Sequence, residues 1–199
     1  MFTGIIESTG TVSEIVSKEG STDLIIESGL AKELKVDQSV SHNGVCLTVT
    51  EVNENKYSVT AIPETLKKTN LGDLRVGNSV NLERSMPANG RFDGHIVQGH
   101  VDMTGVCIEV RKDGDSVIYS FEYDKNSQNF TVEKGSVCVN GISLTVIGSE
   151  ENRFSVAVIP YTFNHTNIQY VKVGDRVNLE FDIIGKYLQN LFLKYRFNQ

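Results

Sequence analysis

SVSHNGVCLTVT, from Ser39 to Thr50, returns as SVCVNGISLTVI, from Ser136 to Ile147, with seven of twelve positions identical at a shift of 97 residues. The same shift maps IPETLKKTN (Ile62 to Asn70) onto IPYTFNHTN (Ile159 to Asn167), and VGNSVNLE (Val76 to Glu83) onto VGDRVNLE (Val173 to Glu180). Between Ser39 and Glu83 the copies align without insertion or deletion. Solenoid repeats are shorter units that usually need three or more copies to bury a core, so two long copies mean a duplicated domain. Each copy has roughly 95 residues, enough for a modest core of its own.

Outward from these motifs, short runs with period-two patterning dominate: GTVSEIV, DLIIE, YSVTAI and SVNLE in the first half, GVCIEV, VIYSFEY, FSVAVI and RVNLEF in the second. They are rich in Val, Ile, Thr, Phe and Tyr and are separated by Gly, Asn, Asp and Lys turns. Each half therefore reads as about six antiparallel strands. In so small a domain, closing the sheet removes exposed edges, which favours a Greek-key barrel over a sandwich. The expected fold is all-β: two tandem six-stranded antiparallel Greek-key barrels, residues 1–87 and 88–182, followed by a C-terminal α-helix over 183–199. RSMPANGRFDG, from Arg84 to Gly94, is the expected connection, and NLGDLRVG and NIQYVKVG each suit one helical turn. In the terminal helix, Ile184, Leu188, Leu191 and Tyr195 recur at helical spacing, a broad stripe that fits either a lid on its own domain or an oligomer contact.

Composition excludes several functions. A net charge of −6 is the wrong sign for a nucleic-acid surface. MFTGIIESTG lacks the basic start and apolar run of a secretory signal, and no stretch reaches membrane-spanning length, so a cytoplasmic protein is expected. Cys46, Cys107 and Cys138 show no C-x-x-C spacing, which argues against a disulfide framework or a zinc site. No phosphate loop, dinucleotide turn or nucleophile elbow is present.

The repeated small polar residues, Ser39/Ser136, Asn43/Asn140, Thr48/Thr145 and Thr65/Thr162, suit the mouths of two similar ligand pockets. Asn-Gly is equally a hairpin-turn signal and Thr a favoured strand residue. The symmetry breaks where Cys46 meets Ser143 and Ser41 meets Cys138, and a cysteine can supply a thiolate where serine needs a base; a lone cysteine is more often simple packing. GHIVQGH offers His95 and His100. Five residues apart on an extended strand they face opposite ways, which disfavours a shared metal. His100, beside the permissive Gly99, is the better candidate for a proton carrier.

MFTGII, HNGVCLTV, ETLKKTNLG, GHIVQGHVD and NGISLTV, followed by IPYT and VNLEFD, stand in this order, and together they resemble the two-barrel, homotrimeric riboflavin synthase family from Met1 to the end of the chain. The resemblance implies a transferase that dismutates two molecules of 6,7-dimethyl-8-ribityllumazine into riboflavin and 5-amino-6-(ribitylamino)uracil, the last step of riboflavin biosynthesis. It implies no cofactor and no metal. Carried over by position, Gly4, Ile5, Ile6, Ser39, Cys46, Leu47, Thr48, Thr60, Ala61, Ile62, Pro63, Glu64 and Thr65 line the first pocket. Lys134, Ser143, Leu144, Thr145, Ala157, Val158, Ile159, Pro160, Tyr161 and Thr162 hold the second lumazine, with Asp182 at its ribityl or reacting side. Gly99, His100 and Val101 match the segment bearing the family's histidine. His100, Cys46, Ser39 and Asp182 are the implied catalytic groups. The site falls between the first barrel of one subunit and the second of its neighbour, which makes the terminal helix a trimer contact; association with lumazine synthase is a further partner in view. Tyr161 departs from the family's usual IPET, and a helix ending by Gln199 would be short. The alternative is a non-catalytic lumazine or flavin carrier of the same fold, whose relatives have degraded motifs in one half.

Overall fold

The computed structural model describes residues 1–196, so the last three residues of the expected 183–199 helix lie outside the described residues. The first barrel is built from β1 (Ser8–Lys18), β2 (Ser21–Glu27), β3 (Ser39–His42), β4 (Val45–Asn53), β5 (Lys56–Ala61) and β6 (Ser79–Arg84), closed in the order β1-β2-β5-β4-β3-β6. The second uses β7 (Met103–Asp113), β8 (Ser116–Glu122), β9 (Ser136–Val139), β10 (Ile142–Ser149), β11 (Arg153–Val158) and β12 (Arg176–Phe181), likewise closed and antiparallel. Alternation sends Val12, Leu24, Leu47, Val49, Val59 and Leu82 into one core and Tyr119, Phe121, Leu144, Val156 and Leu179 into the other. Closure leaves neither sheet with a free edge.

Two short helices, α1 (Pro63–Lys68) and α2 (Pro160–His165), go beyond the strands and turns expected from the sequence. Proline opens each one, where its missing N–H would be unpaired in any case. The single turns expected after them are 3-10 turns at Asn70–Asp73 and Asn167–Tyr170, each capped by the preceding threonine side chain. The final helix, α3 (Ile183–Arg196), leaves Ile184, Leu188, Leu191 and Phe192 all more than half exposed.

The barrels meet about a pseudo-twofold axis made largely of asparagine. Asn43 and Asn140 occupy left-handed turn positions (φ 48° and 46°) before Gly44 and Gly141, and these glycines pack so closely that a β-carbon on Gly44 would lie 2.8 Å from the Gly141 nitrogen. Asn81 Nδ2 donates to the Asn140 carbonyl (2.9 Å), and Asn178 Nδ2 to the Asn43 carbonyl (2.8 Å). Asn167 N–H donates to Asn81 Oδ1 (2.7 Å), and Asn70 N–H to Asn178 Oδ1 (2.6 Å). Asn43 and Asn140 therefore serve the barrel–barrel contact, where the sequence suggested pocket mouths: a hairpin tip that forms its own turn has an amide side chain left to bond across the axis.

Candidate functional site

Beside this axis the chain makes two reciprocal exchanges. The segment before β1 leaves its own barrel, and the Gly4 carbonyl accepts from Ser143 N–H on β10 (2.8 Å) while Ile6 packs on the second core. The segment before β7 does the converse: the Gly99 carbonyl accepts from Cys46 N–H on β4 (2.9 Å), and Val101 packs on the first core. Phe2 and Val97 pair antiparallel where the two segments cross. Gly4 and Gly99 hold φ of +78° and +79°, and a β-carbon on either would come within 2.6 Å of the Ser143 or Cys46 β-carbon. Glycine is required here by conformation and by contact.

This crossing corrects the expectation that Gly4 and Ile6 line the first pocket. Gly4 and Ile6 belong to the wall of the second barrel, whereas Ile5 is exposed in a 520 Å³ cavity with Ser39, Glu33 and Arg91. A second correction follows from strand alternation. Leu47, Ala61, Leu144 and Val158 point into the barrels, none more than 8% exposed, so their side chains are core.

What remains on the outside are two matching patches. Cys46, Thr48, Thr60 and Ile62 lie on the outer face of the β4–β5 hairpin, followed by Pro63, Glu64 and Thr65 on α1. Ser143, Thr145, Ala157 and Ile159 lie on β10–β11, followed by Pro160, Tyr161 and Thr162 on α2. Thr48, Thr145, Ile62 and Ile159 are exposed, so both patches are open faces with hydroxyls and a thiol set among apolar groups. Thr60 Oγ1 donates to Asp23 (2.7 Å). Tyr161 stacks on His165 with ring centroids 4.2 Å apart, in place of the Glu64–Lys68 ion pair of the first copy.

Lys134 is exposed in a left-handed turn. Asp182 caps α3 by accepting from Ile184 N–H (2.9 Å) and borders a 290 Å³ cavity with Ser136 and Phe130. His100 follows Gly99, its side chain exposed and its N–H donated to Glu180 (2.9 Å). His95, given the lesser role from sequence, is the histidine tied to a patch: its Nδ1 is 2.7 Å from Ser143 Oγ. Burial lowers its pKa, partly opposed by the charge of Asp182. Cys107 and Cys138 are buried, and burial pushes the Cys107 thiol up to about 11.

Two buried carboxylates hold the crossing segments. Glu83 on β6 accepts from Thr3 N–H (2.6 Å), Thr3 Oγ1 (2.9 Å) and Gly4 N–H (2.9 Å). Glu180 on β12 accepts from the N–H groups of Gln98 (2.6 Å), Gly99 (2.9 Å) and His100 (2.9 Å). Burial raises both carboxyls above their ordinary range while the N–H donors oppose it. Among the described residues no cluster of His, Cys, Asp and Glu could hold a metal, and no helix is long and apolar enough to cross a membrane.

Barrel pair and twin patches define a class of protein, a tandem pair of small-molecule-binding β-barrels. A family model for the lumazine binding domain matches twice, at residues 3–85 and 98–182. Riboflavin synthase from Actinobacillus pleuropneumoniae is 41% identical over 196 residues, covering 98% of this chain and 91% of that one. Riboflavin synthase from Bacillus subtilis (strain 168) is 40% identical, covering 100% and 93%. The chain belongs to the riboflavin synthase family. Crystal structures of LumP complexed with riboflavin (TM-score 0.84, 20% identity, 91% of this chain and 99% of that one) and with 6,7-dimethyl-8-(1'-D-ribityl) lumazine (TM-score 0.82, 19% identity, 90% and 98%) share the fold.

Proposed function

We propose that this protein is a cytoplasmic riboflavin synthase, converting two molecules of 6,7-dimethyl-8-ribityllumazine into one riboflavin and one 5-amino-6-(ribitylamino)uracil without a cofactor. The observation that carries it is the pair of outward patches, Cys46–Thr48–Thr60 and Ser143–Thr145–Ala157, repeated about one axis in a chain about 40% identical to riboflavin synthases over nearly its whole length. A dismutation consumes two copies of one molecule, and two similar half-sites suit that stoichiometry.

Each patch is open, so a flat heterocycle on it stays wet unless another surface closes over it. In a homotrimer joined through α3, the first-barrel patch of one subunit faces the second-barrel patch of the next, and the two lumazines lie face to face. Holding them in reacting geometry supplies much of the rate. One lumazine gives a proton from its 7-methyl group to a base, and the exocyclic carbanion attacks the partner ring. The resulting adduct fragments with transfer of a four-carbon unit. His100 and His95 are the available bases and Cys46, Ser39 or a held water the available nucleophile, with Asp182 at the second ring. Residues 1–87 and 88–182 are the two lumazine-binding units and 183–199 the oligomerisation segment.

The test is incubation of the purified protein with the lumazine alone. Loss of two lumazines per riboflavin formed is expected. Tight binding without turnover would instead make it a carrier, a reading disfavoured by the much lower identity to LumP.

A further inference from the structure

We propose that Glu180 and Glu83 are positioning residues that act across the barrels: each carboxylate, carried by one barrel, fixes the crossing segment that completes the substrate-facing wall of the other. Glu180 stands on β12 of the second barrel, yet its three donors, Gln98, Gly99 and His100, are consecutive residues of the strip laid against Cys46 in the first. Glu83 stands on β6 of the first barrel and holds Thr3 and Gly4, the strip laid against Ser143 in the second. Consecutive main-chain N–H groups converging on one carboxylate make charge-assisted bonds, stronger than neutral ones and more demanding in geometry. Each clamp locks a left-handed glycine whose carbonyl makes the next bond, Gly99 to Cys46 and Gly4 to Ser143. Carboxylate, glycine and patch residue thus form two short chains that cross between barrels. His100 is the last residue in the Glu180 clamp, so the same carboxylate sets where its imidazole begins.

A glutamine at either position has one acceptor oxygen, and its amide group must face an N–H donor. The strip then loosens without any residue of the patch being altered. For catalysis the inference rests on the assignment of Cys46 and Ser143 to the two lumazine sites; for structure it does not.

The experiment measures amide hydrogen exchange at Cys46 and Ser143 in the full-length protein without ligand, for Glu180→Gln and Glu83→Gln. Loss of hydrogen bonds to a charged group should speed exchange at least about tenfold. Glu180→Gln is expected to do so at Cys46 and leave Ser143 within about twofold, and Glu83→Gln the reverse. Should either glutamine variant fail to fold, Glu180→Asp and Glu83→Asp keep the charge with a shorter reach and should give the same crossed pattern, weaker. Equal acceleration at both amides, acceleration confined to the mutated barrel, or no acceleration would each overturn the inference. In turnover of the lumazine, both variants should lower kcat more than they raise KM; a crossed exchange pattern with wild-type kcat would remove the catalytic half. If the wild-type protein itself does not turn over, the proposed function fails while the exchange result still stands.

Discussion

Nδ1 of His95 lies 2.7 Å from Oγ of Ser143, joining the strip between the barrels to the outer face of the second one. The first barrel has Cys46 at the equivalent place, so the two patches present a thiol and a hydroxyl in the same frame.

If His95 and Ser143 work as a unit in proton transfer, His95→Ala and Ser143→Ala should each lower kcat about 100-fold. The double variant should then be little worse than either single one. Losses that multiply in a kinetic double-mutant cycle would refute the pairing. Because burial lowers the His95 pKa, its neutral form should persist below the ordinary histidine range, and the acidic limb of kcat should shift down accordingly.

His42 is buried in the first barrel between the Val40 carbonyl (3.1 Å from Nδ1) and the Tyr57 hydroxyl (2.7 Å from Nε2). The carbonyl can only accept, so Nδ1 carries the proton and Nε2 accepts from Tyr57. Burial pushes the His42 pKa down to about 4, with the Val40 and Val45 carbonyls opposing. A group depressed on folding favours the neutral native state, so stability is intact above the unfolded value near 6.5 and falls as pH drops towards 4. About 3 kcal/mol should be lost over that window. The second barrel has Val139 and Phe154 at these places. His42→Val with Tyr57→Phe should therefore flatten the pH dependence of the urea midpoint; an unchanged acid limb would place its origin elsewhere.

At the axis, Asn81→Ala would strip partners from Asn167 N–H and the Asn140 carbonyl at once. Two buried polar groups left unpaired should cost about 2 kcal/mol or more. Calorimetry should then resolve the barrels as separate transitions. A wild-type melting profile would mean that the asparagine network adds nothing to their coupling.

Leu188 and Leu191 are 62% and 64% exposed on α3. Replacing both by Glu should dissociate the proposed trimer while leaving the barrels folded, read by sedimentation and circular dichroism. Activity should fall with the trimer if, as proposed, each closed site is built from two subunits; a trimeric double variant would exclude this helix as the contact.

Much of the fold was legible because one numerical shift recurs. The duplication follows from motifs 97 residues apart, the strands from period-two runs within each copy, and the terminal helix from the spacing of Ile184, Leu188, Leu191 and Tyr195. The crossing was not legible for the same reason: Gly4 and Gly99 are offset by 95, so the strips drop out of the aligned repeat. Which barrel a strip joins is decided by packing of Ile6 and Val101, and neither side chain names its host. Thr48 and Leu47 share one matched segment, and only the period-two pattern separates the outward threonine from the inward leucine. The asparagine axis left a usable trace, since Asn43, Asn70 and Asn81 all recur at the common shift and Asn81 stands between Val80 and Leu82. The pairing of His95 with Ser143 left none, because nothing in GHIVQGH points to a partner 48 residues away.

The exchanged strips also bear on how such a chain could arise. In two separate polypeptides carrying one barrel each, arms that cross to complete the neighbour would be a domain-swapped dimer, a low-barrier route to pairing for any single-barrel ancestor. Fusing those copies end to end preserves the swap while freeing the halves to diverge. Cys46 and Ser143 could then become different within a geometry that inheritance had already made the same.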